Sequence, residues 1–279
     1  MEKYVILDEK NVKVTLVGME FEFDTPRFKV LLENYSPYNL EFNLESFVIN
    51  GFMVEGYLCE DVNKGKKRFE YIDIEDIDWA CLSLANIRSL YDISEISASF
   101  KLMNNDIEED YDEDYDEEYY DEETDEYIVI EKEDKRLYLL SNLYKAVIKP
   151  NNVLDIQLGT PVLEEKGLKV SYIGCIKDDY SVVRFIFLMS SQMGESISVD
   201  FDNMSLNDFM AEYDCYFDCD LAYNTKRFCY LTFEEGFLNE IGVESENDVQ
   251  TIEFEIKVSS KKSRKTLITS PNIKLYHAS

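Results

Sequence analysis

The sequence predicts an all-β protein of two antiparallel β-sandwiches in tandem, each interrupted by one short helical crossover. Three observations predict it. The chain repeats itself at an offset of about 156 residues. Its apolar residues recur mainly with period two, the pattern of strands with one buried and one wet face. Turn-forming residues separate the apolar runs at the spacing of a two-sheet sandwich.

The repeat fixes the domain organisation. Val5-Ile-Leu-Asp-Glu-Lys-Asn-Val-Lys-Val14 returns as Pro161-Val-Leu-Glu-Glu-Lys-Gly-Leu-Lys-Val170. Gly18 returns as Gly174, Arg27-Phe28 as Arg184-Phe185, and Asn50-Gly-Phe-Met53 as Asn207-Asp-Phe-Met210. Lys67-Arg-Phe69 returns as Lys226-Arg-Phe228, and the strand from Asp92 returns from Asp248. The matches keep their order along most of the chain, which indicates a duplication: copy one over residues 1–150 and copy two over 151–279, with the boundary at Pro150-Asn-Asn152. The 279 residues suffice for two cores, and 20 Tyr and 17 Phe against one Trp favour strands.

In copy one, Val12, Val14 and Leu16 alternate with Lys13 and Thr15; Phe28, Val30 and Leu32 form the next strand; Ile96, Ala98, Phe100 and Leu102 form a later one. Asn34-Tyr-Ser-Pro37 and Asn63-Lys-Gly65 mark turns, and Asn50-Gly51 marks a hairpin, because both residues accept positive φ. Ile77, Cys81, Leu84 and Ile87 give residues 75–90 a helical spacing, as Phe237, Leu238 and Ile241 do in copy two. A variable loop follows the strand, the acidic 104–126 in copy one and the basic 259–265 in copy two. Strands at 127–130 and 137–148 close copy one, with 153–158 either linker or an extra strand. In copy two, Leu168, Val170 and Tyr172, then Ile197, Val199 and Phe201, then Ile252, Phe254, Ile256 and Val258 alternate similarly. Gln192-Met-Gly194 marks a turn, and 272–276 is the closing strand.

Phe28-Lys-Val-Leu-Leu-Glu-Asn-Tyr-Ser36, Val48-Ile-Asn-Gly-Phe-Met-Val54, Lys64-Gly-Lys-Lys67 and the strand at 93–100 resemble a poorly characterised bacterial domain with an Asn-Gly-aromatic-Met hairpin. The resemblance covers most of copy one. Copy two keeps Asn207-Asp-Phe-Met210 but has Tyr223-Asn-Thr-Lys226 where the Gly-Lys-Lys turn belongs. It implies an immunoglobulin-like β-sandwich and no catalytic site. Members of that family are often appended to zinc ribbons or membrane anchors, neither of which stands in this sequence.

Charge is segregated. The net charge is −30, and residues 104–126 hold 15 of the 58 acids with no Lys or Arg. A basic patch of the kind that binds nucleic-acid backbones is therefore not expected. The N-terminus lacks the apolar stretch of a signal peptide, and no run reaches the ~20 apolar residues of a spanning helix. A cytoplasmic location follows, or an extracellular one if a leader has been removed. Cys59, Cys81, Cys175, Cys215, Cys219 and Cys229 are then expected to be reduced, mostly buried thiols.

Little in the sequence points to catalysis. His277 is the single histidine, three residues from the end, which leaves no Ser-His or Cys-His arrangement. Cys215 and Cys219 lack a second pair at zinc-binding spacing, and no phosphate-binding glycine loop occurs. No cofactor and no metal site is expected. Asp110, Asp112, Asp114 and Asp116 alternate like an EF-hand, but Tyr115 stands where glycine is required. Tyr111, Tyr115, Tyr119 and Tyr120 stud the acidic block. Two readings of that block stand open: a solvated loop, or a docking strip whose rings bury while carboxylates pair with Arg or Lys. Lys261, Lys262, Arg264 and Lys265 give copy two the opposite sign at the same place, so pairing between the loops is a further expectation. The expected function is a non-enzymatic protein-binding or scaffold protein. The alternative is an acidic mimic of nucleic acid that docks on a basic protein surface through 104–126.

Overall fold

A computed structural model describes residues 3–22, 25–107, 117–121, 126–130, 136–148, 158–177, 183–211, 215–217 and 219–276. Strands dominate them, as expected of an all-β chain. The first half contains β1 (Tyr4–Glu9), β2 (Val12–Glu22), β3 (Thr25–Asn34), β4 (Leu40–Ile49), β5 (Phe52–Val54), β6 (Gly56–Tyr57), β7 (Cys59–Val62), β8 (Lys66–Ile74) and α1 (Asp76–Leu82). It continues with β9 (Glu95–Asn104), β10 (Glu117–Asp121), β11 (Glu126–Ile130), β12 (Leu137–Leu140) and β13 (Tyr144–Val147). The second half contains β14 (Thr160–Glu165), β15 (Leu168–Lys177), β16 (Val183–Ser191), β17 (Ile197–Leu206), β18 (Phe209–Met210), β19 (Cys215–Tyr216), β20 (Cys219–Leu221) and β21 (Lys226–Phe233). It ends with α2 (Glu235–Glu240), β22 (Thr251–Ser260), β23 (Thr266–Thr269) and β24 (Ile273–Tyr276). Contacts divide the chain into two compact units: unit 1 is Met1–Phe47, Glu55–Asp76 and Ile96–Ile148, and unit 2 is Val48–Val54, Ile77–Glu95 and Lys149–Ser279.

In unit 1 one sheet runs β1-β2-β3-β8-β6. Another runs β12-β9-β4, with β13 on β9 and β7 on β4, and β10-β11 form a separate hairpin. The alternation read from the sequence is the burial pattern. Val12, Val14 and Leu16 of β2, Phe28, Val30 and Leu32 of β3, and Ile96, Ala98, Phe100 and Leu102 of β9 are fully buried. Each large side chain among them contributes about 1.5–3 kcal/mol. Phe28 and Phe47 meet edge to face at 4.9 Å. At Gly56, where β6 meets β8, a Cβ would sit 2.8 Å from Leu44 Cδ2 and 3.1 Å from Phe47 Cβ, so a larger residue there would make those side chains shift.

In unit 2 one sheet runs β5-β21-β16-β15-β14 with β19 on β21, and the other runs β18-β17-β22-β23 with β20 on β17 and β24 on β22. One core lies between them: Phe185, Phe187, Leu231 and Phe233 from the first, Ile197, Val199, Phe254 and Ile256 from the second. The strand order matches that of unit 1, except that β5 joins β21 in parallel, with Phe52 beside Lys226 and Met53 beside Arg227.

Local devices recur in both units. Bulges fall between Val5 and Leu7 and between Leu16 and Gly18, and again between Pro161 and Leu163 and between Tyr172 and Gly174. Two-residue turns with both φ positive occur at Lys10-Asn11 and Lys166-Gly167, and at Asn50-Gly51 and Asn207-Asp208. The asparagine of the latter pair is a staple. Asn50 donates to Asp92 O (2.9 Å) while its Oδ1 accepts from the N–H groups of Ser94 (2.8 Å) and Glu95 (3.0 Å). Asn207 donates to Asp248 O (2.9 Å) and accepts from Gln250 (2.7 Å) and Thr251 (3.2 Å). Ser141 Oγ accepts from Phe100 N (2.9 Å), and Ser270 Oγ accepts from Ile256 N (2.7 Å).

Several expectations need correction. The 137–148 strand is two strands, β12 and β13, because Ser141 replaces a ladder partner of β9. Copy two likewise gains β23 before the strand expected at 272–276. The acidic block is not all loop: Glu117–Asp121 pairs antiparallel with Glu126–Ile130. The 75–90 helix is shorter, since α1 ends at Leu82 and a 3-10 turn at Ser83–Ala85 leaves Leu84 exposed. Cys219 and Cys229 are disulfide-bonded rather than free, because β20 and β21 bring them together in the core of unit 2. Their sequence separation of 10 residues predicts that reduction lowers the unfolding free energy by about 2–3 kcal/mol. Denaturant titration with and without reductant measures this. The segment 153–157 lies outside the described residues.

Candidate binding surface

The residues singled out by sequence fall partly outside the described residues. Asp110, Tyr111, Asp112, Asp114, Tyr115 and Asp116 lie outside the described residues, as does His277. Tyr119 and Tyr120 stand in β10, in register with Ile128 and Tyr127. Lys261, Lys262, Arg264 and Lys265 are exposed on the turn between β22 and β23, where Lys261 forms an ion pair with Asp220.

A different surface gathers chemistry. On β3 and β8 the residues that alternate with the core point outward and pair across the strands: Arg27 with Asp73, Lys29 with Tyr71, Leu31 with Phe69, and Glu33 with Lys67. Arg27 Nε bonds Asp73 Oδ1 at 2.6 Å, and its guanidinium lies 4.2 Å from the centre of the Tyr71 ring. Lys29 Nζ lies 5.2 Å from Tyr71 and 5.7 Å from Phe69. Lys67 pairs with Glu33 at 2.5 Å and lies 5.3 Å from the Tyr35 ring. Phe69 is 59% exposed. Cations held over aromatic faces, beside an exposed ring, offer a partner apolar contact together with charge.

Glu33 is the best-shielded acid on this face. Bonds from Lys67, then from the Tyr35 hydroxyl (2.7 Å), hold its carboxyl below the usual range against a burial effect that raises it. A depressed folded-state value stabilises the fold above the ordinary glutamate pKa, and that stability is lost as pH falls through the folded value. Wild type should therefore be more stable than Glu33→Gln above about pH 5, with the gap closing toward pH 3. Thermal unfolding across that range measures it.

The same face of unit 2 is covered. Ile186 and Leu188 of β16 are buried, and Phe228, at the position of Phe69, is 3% exposed. Phe52 stacks on Phe228 with ring centres 5.6 Å apart, and Lys226 Nζ lies 5.7 Å from the Phe52 ring. Lys226 N donates to Gly51 O at 2.9 Å, and Ala222 N meets Met53 Sδ at 3.0 Å. Tyr230, at the position of Tyr71, donates to Asp78 Oδ1 at 2.8 Å. Burial, with Asp78 and Cys81 adding to it, pushes the Tyr230 hydroxyl far up, and burial pushes the Cys81 thiol up to about 11. Both stay protonated at neutral pH. Among the described residues no three His, Cys, Asp or Glu side chains converge as a metal would require, and no helix is long and apolar enough to cross a membrane.

In the sequence, Lys67-Arg-Phe69 marks the repeat, and Lys67 also closes the Lys64-Gly-Lys-Lys67 turn. The signal for the face was the alternation of Lys67, Phe69, Tyr71 and Asp73 along β8. No protein-family model and no curated protein matches the chain. Among solved structures, the chain is similar to a protein of unknown function from Porphyromonas gingivalis, at 8% identity and a TM-score of 0.22, over 95% of this chain and 99% of that one.

Proposed function

We propose that this is a non-enzymatic binding or scaffold protein of two tandem immunoglobulin-like β-sandwiches, which engages protein through the β3–β8 face of unit 1. The duplication reading is supported by the equal strand order, the paired bulges and the two asparagine staples. The observation that carries the binding reading is the face itself, where Arg27 and Lys29 lie over aromatic rings beside the exposed Phe69. The polar groups that recur in both copies, Asn50 and Asn207, Ser141 and Ser270, are engaged in backbone bonds that hold strands together. Immobilised wild-type protein should retain a partner that Phe69→Asp does not. Equal recovery by both would contradict this reading.

A second reading keeps the acidic block as a docking strip on a basic surface, favoured by 15 acids and four interleaved tyrosines without a basic residue in 104–126. Deletion of 106–126 should then abolish binding to a basic protein, and salt should weaken it. The Cys219–Cys229 disulfide supports an oxidising compartment over the cytoplasm.

A further inference from the structure

Unit 2 contains a contact whose two halves each occur a second time, unused, on the surface. One half is the hairpin tip Gly51-Phe52-Met53, with Phe52 5% and Met53 9% exposed. The other is the receiving strand Lys226-Arg227-Phe228, whose edge pairs with β5 and whose Phe228 stacks on Phe52. The repeat places a second tip at Asp208-Phe209-Met210, with the same turn geometry as Asn50-Gly51. There Phe209 is 54% and Met210 59% exposed. It places a second receiving strand at Lys67-Arg68-Phe69, where Phe69 stands in the open.

The backbone matches too. β8 pairs with β3 along Lys66–Asn34 to Asp73–Arg27, while on its other edge β6 meets only Asp73 and Ile74. Among the described residues, the edge at Lys67 and Arg68 carries no further strand, and this is where β5 joins β21 in unit 2. The receiving strand opens Lys66-Lys67-Arg68, all exposed, with Lys67 paired to Glu33 and Arg68 to Glu60, and the tip carries Asp208, 78% exposed and paired with Lys274. Asp78, the acceptor for Tyr230, also has a counterpart. Leu82 and Leu238 accept equivalent bonds from Ile87 and Val243, and four residues before each leucine stand Asp78 and the exposed Glu234. Tyr71 is the matching tyrosine.

We propose that the protein associates head to tail with further copies of itself. The tip Phe209-Met210 of one molecule adds in parallel to β8 of the next, Phe209 beside Lys67 and Met210 beside Arg68, with the Phe209 ring stacked on Phe69. Such an interface is heterologous: each molecule keeps one tip and one receiving strand free, so copies add until a ring closes or a filament grows. This inference rests on the reading of the β3–β8 face as a protein-binding face and names its partner.

The test is sedimentation velocity of the purified full chain over a wide concentration range. Wild type should form species that grow with concentration, and Phe69→Asp and Phe209→Asp should each weaken self-association by roughly tenfold or more. An equimolar mixture of the two variants should give a dimer and nothing larger, because only one intact tip and one intact receiving strand remain. If either variant lacks the wild-type circular dichroism, Phe69→Ser or Phe209→Ser replaces it. A wild type that stays monomeric throughout, or self-association untouched by both substitutions, overturns the proposal. A monomeric wild type that still loses a captured partner on Phe69→Asp would sink self-association while leaving the binding reading intact.

Discussion

Phe187→Ala should cost about 3–5 kcal/mol, the range for emptying the site of a fully buried aromatic side chain. The position links both sheets of unit 2. Its ring meets Tyr172 of β15 at 5.5 Å, Phe201 of β17 at 5.0 Å and Phe254 of β22 at 5.5 Å, with Phe217 at 6.4 Å. Most of these are edge-to-face contacts, each worth about 0.5–1.5 kcal/mol beyond area burial, and the four rings cannot close the space without leaving their own packing. The single tryptophan, Trp79, belongs to unit 2, so its fluorescence in a denaturant titration reports on that unit. The midpoint should fall with the slope unchanged. An unfolding free energy within about 1 kcal/mol of wild type would mean that the aromatic cluster is not packed as described.

Asn50→Ala should cost about 3 kcal/mol or more, since it strands the buried N–H and hydroxyl of Ser94 at about 1–3 kcal/mol each, along with the half-buried Asp92 carbonyl and Glu95 N–H. Asn50 is buried, its Oδ1 accepts from Ser94 N, Ser94 Oγ and Glu95 N, and its amide donates to Asp92 O. Its φ of 51° adds a conformational cost for alanine. Asn50→Gly removes that second cost but not the first, so it should recover about 1 kcal/mol of the loss. Asn207→Ala breaks the same staple at a half-exposed site, where water can replace the lost bonds, and should cost less. Equal losses at the two asparagines would show that burial does not govern the staple.

The strands were legible because their periodicity is local. Val12, Val14 and Leu16 announce an inward face without knowledge of what lies opposite, and Asn50-Gly51 announces a hairpin from its own dihedral needs. What depends on distant partners was not legible. The acidic strand β10 pairs with the apolar Tyr-Ile-Val-Ile of β11, a pairing that counting charges over 104–126 conceals. The Cys219–Cys229 bond depends on β20 lying beside β21. Above all, Phe69 and Phe228 stand in the same local sequence, Lys-Arg-Phe, yet one is exposed and the other covered. The difference lies in residues 48–54 and 77–95, which belong to unit 2.

The recurrence of that covering contact between molecules can be trapped directly. Met53 stands beside Arg227, so Met210 of one molecule should stand beside Arg68 of the next. Chains carrying Arg68→Cys and Met210→Cys, each in a Cys59→Ser background that removes the exposed thiol, are mixed in equal amounts and oxidised mildly. A disulfide-linked dimer containing one chain of each kind should form in the mixture and exceed any dimer that either chain forms alone. Cross-linking no greater in the mixture than in the separate chains would contradict head-to-tail association through the repeated contact.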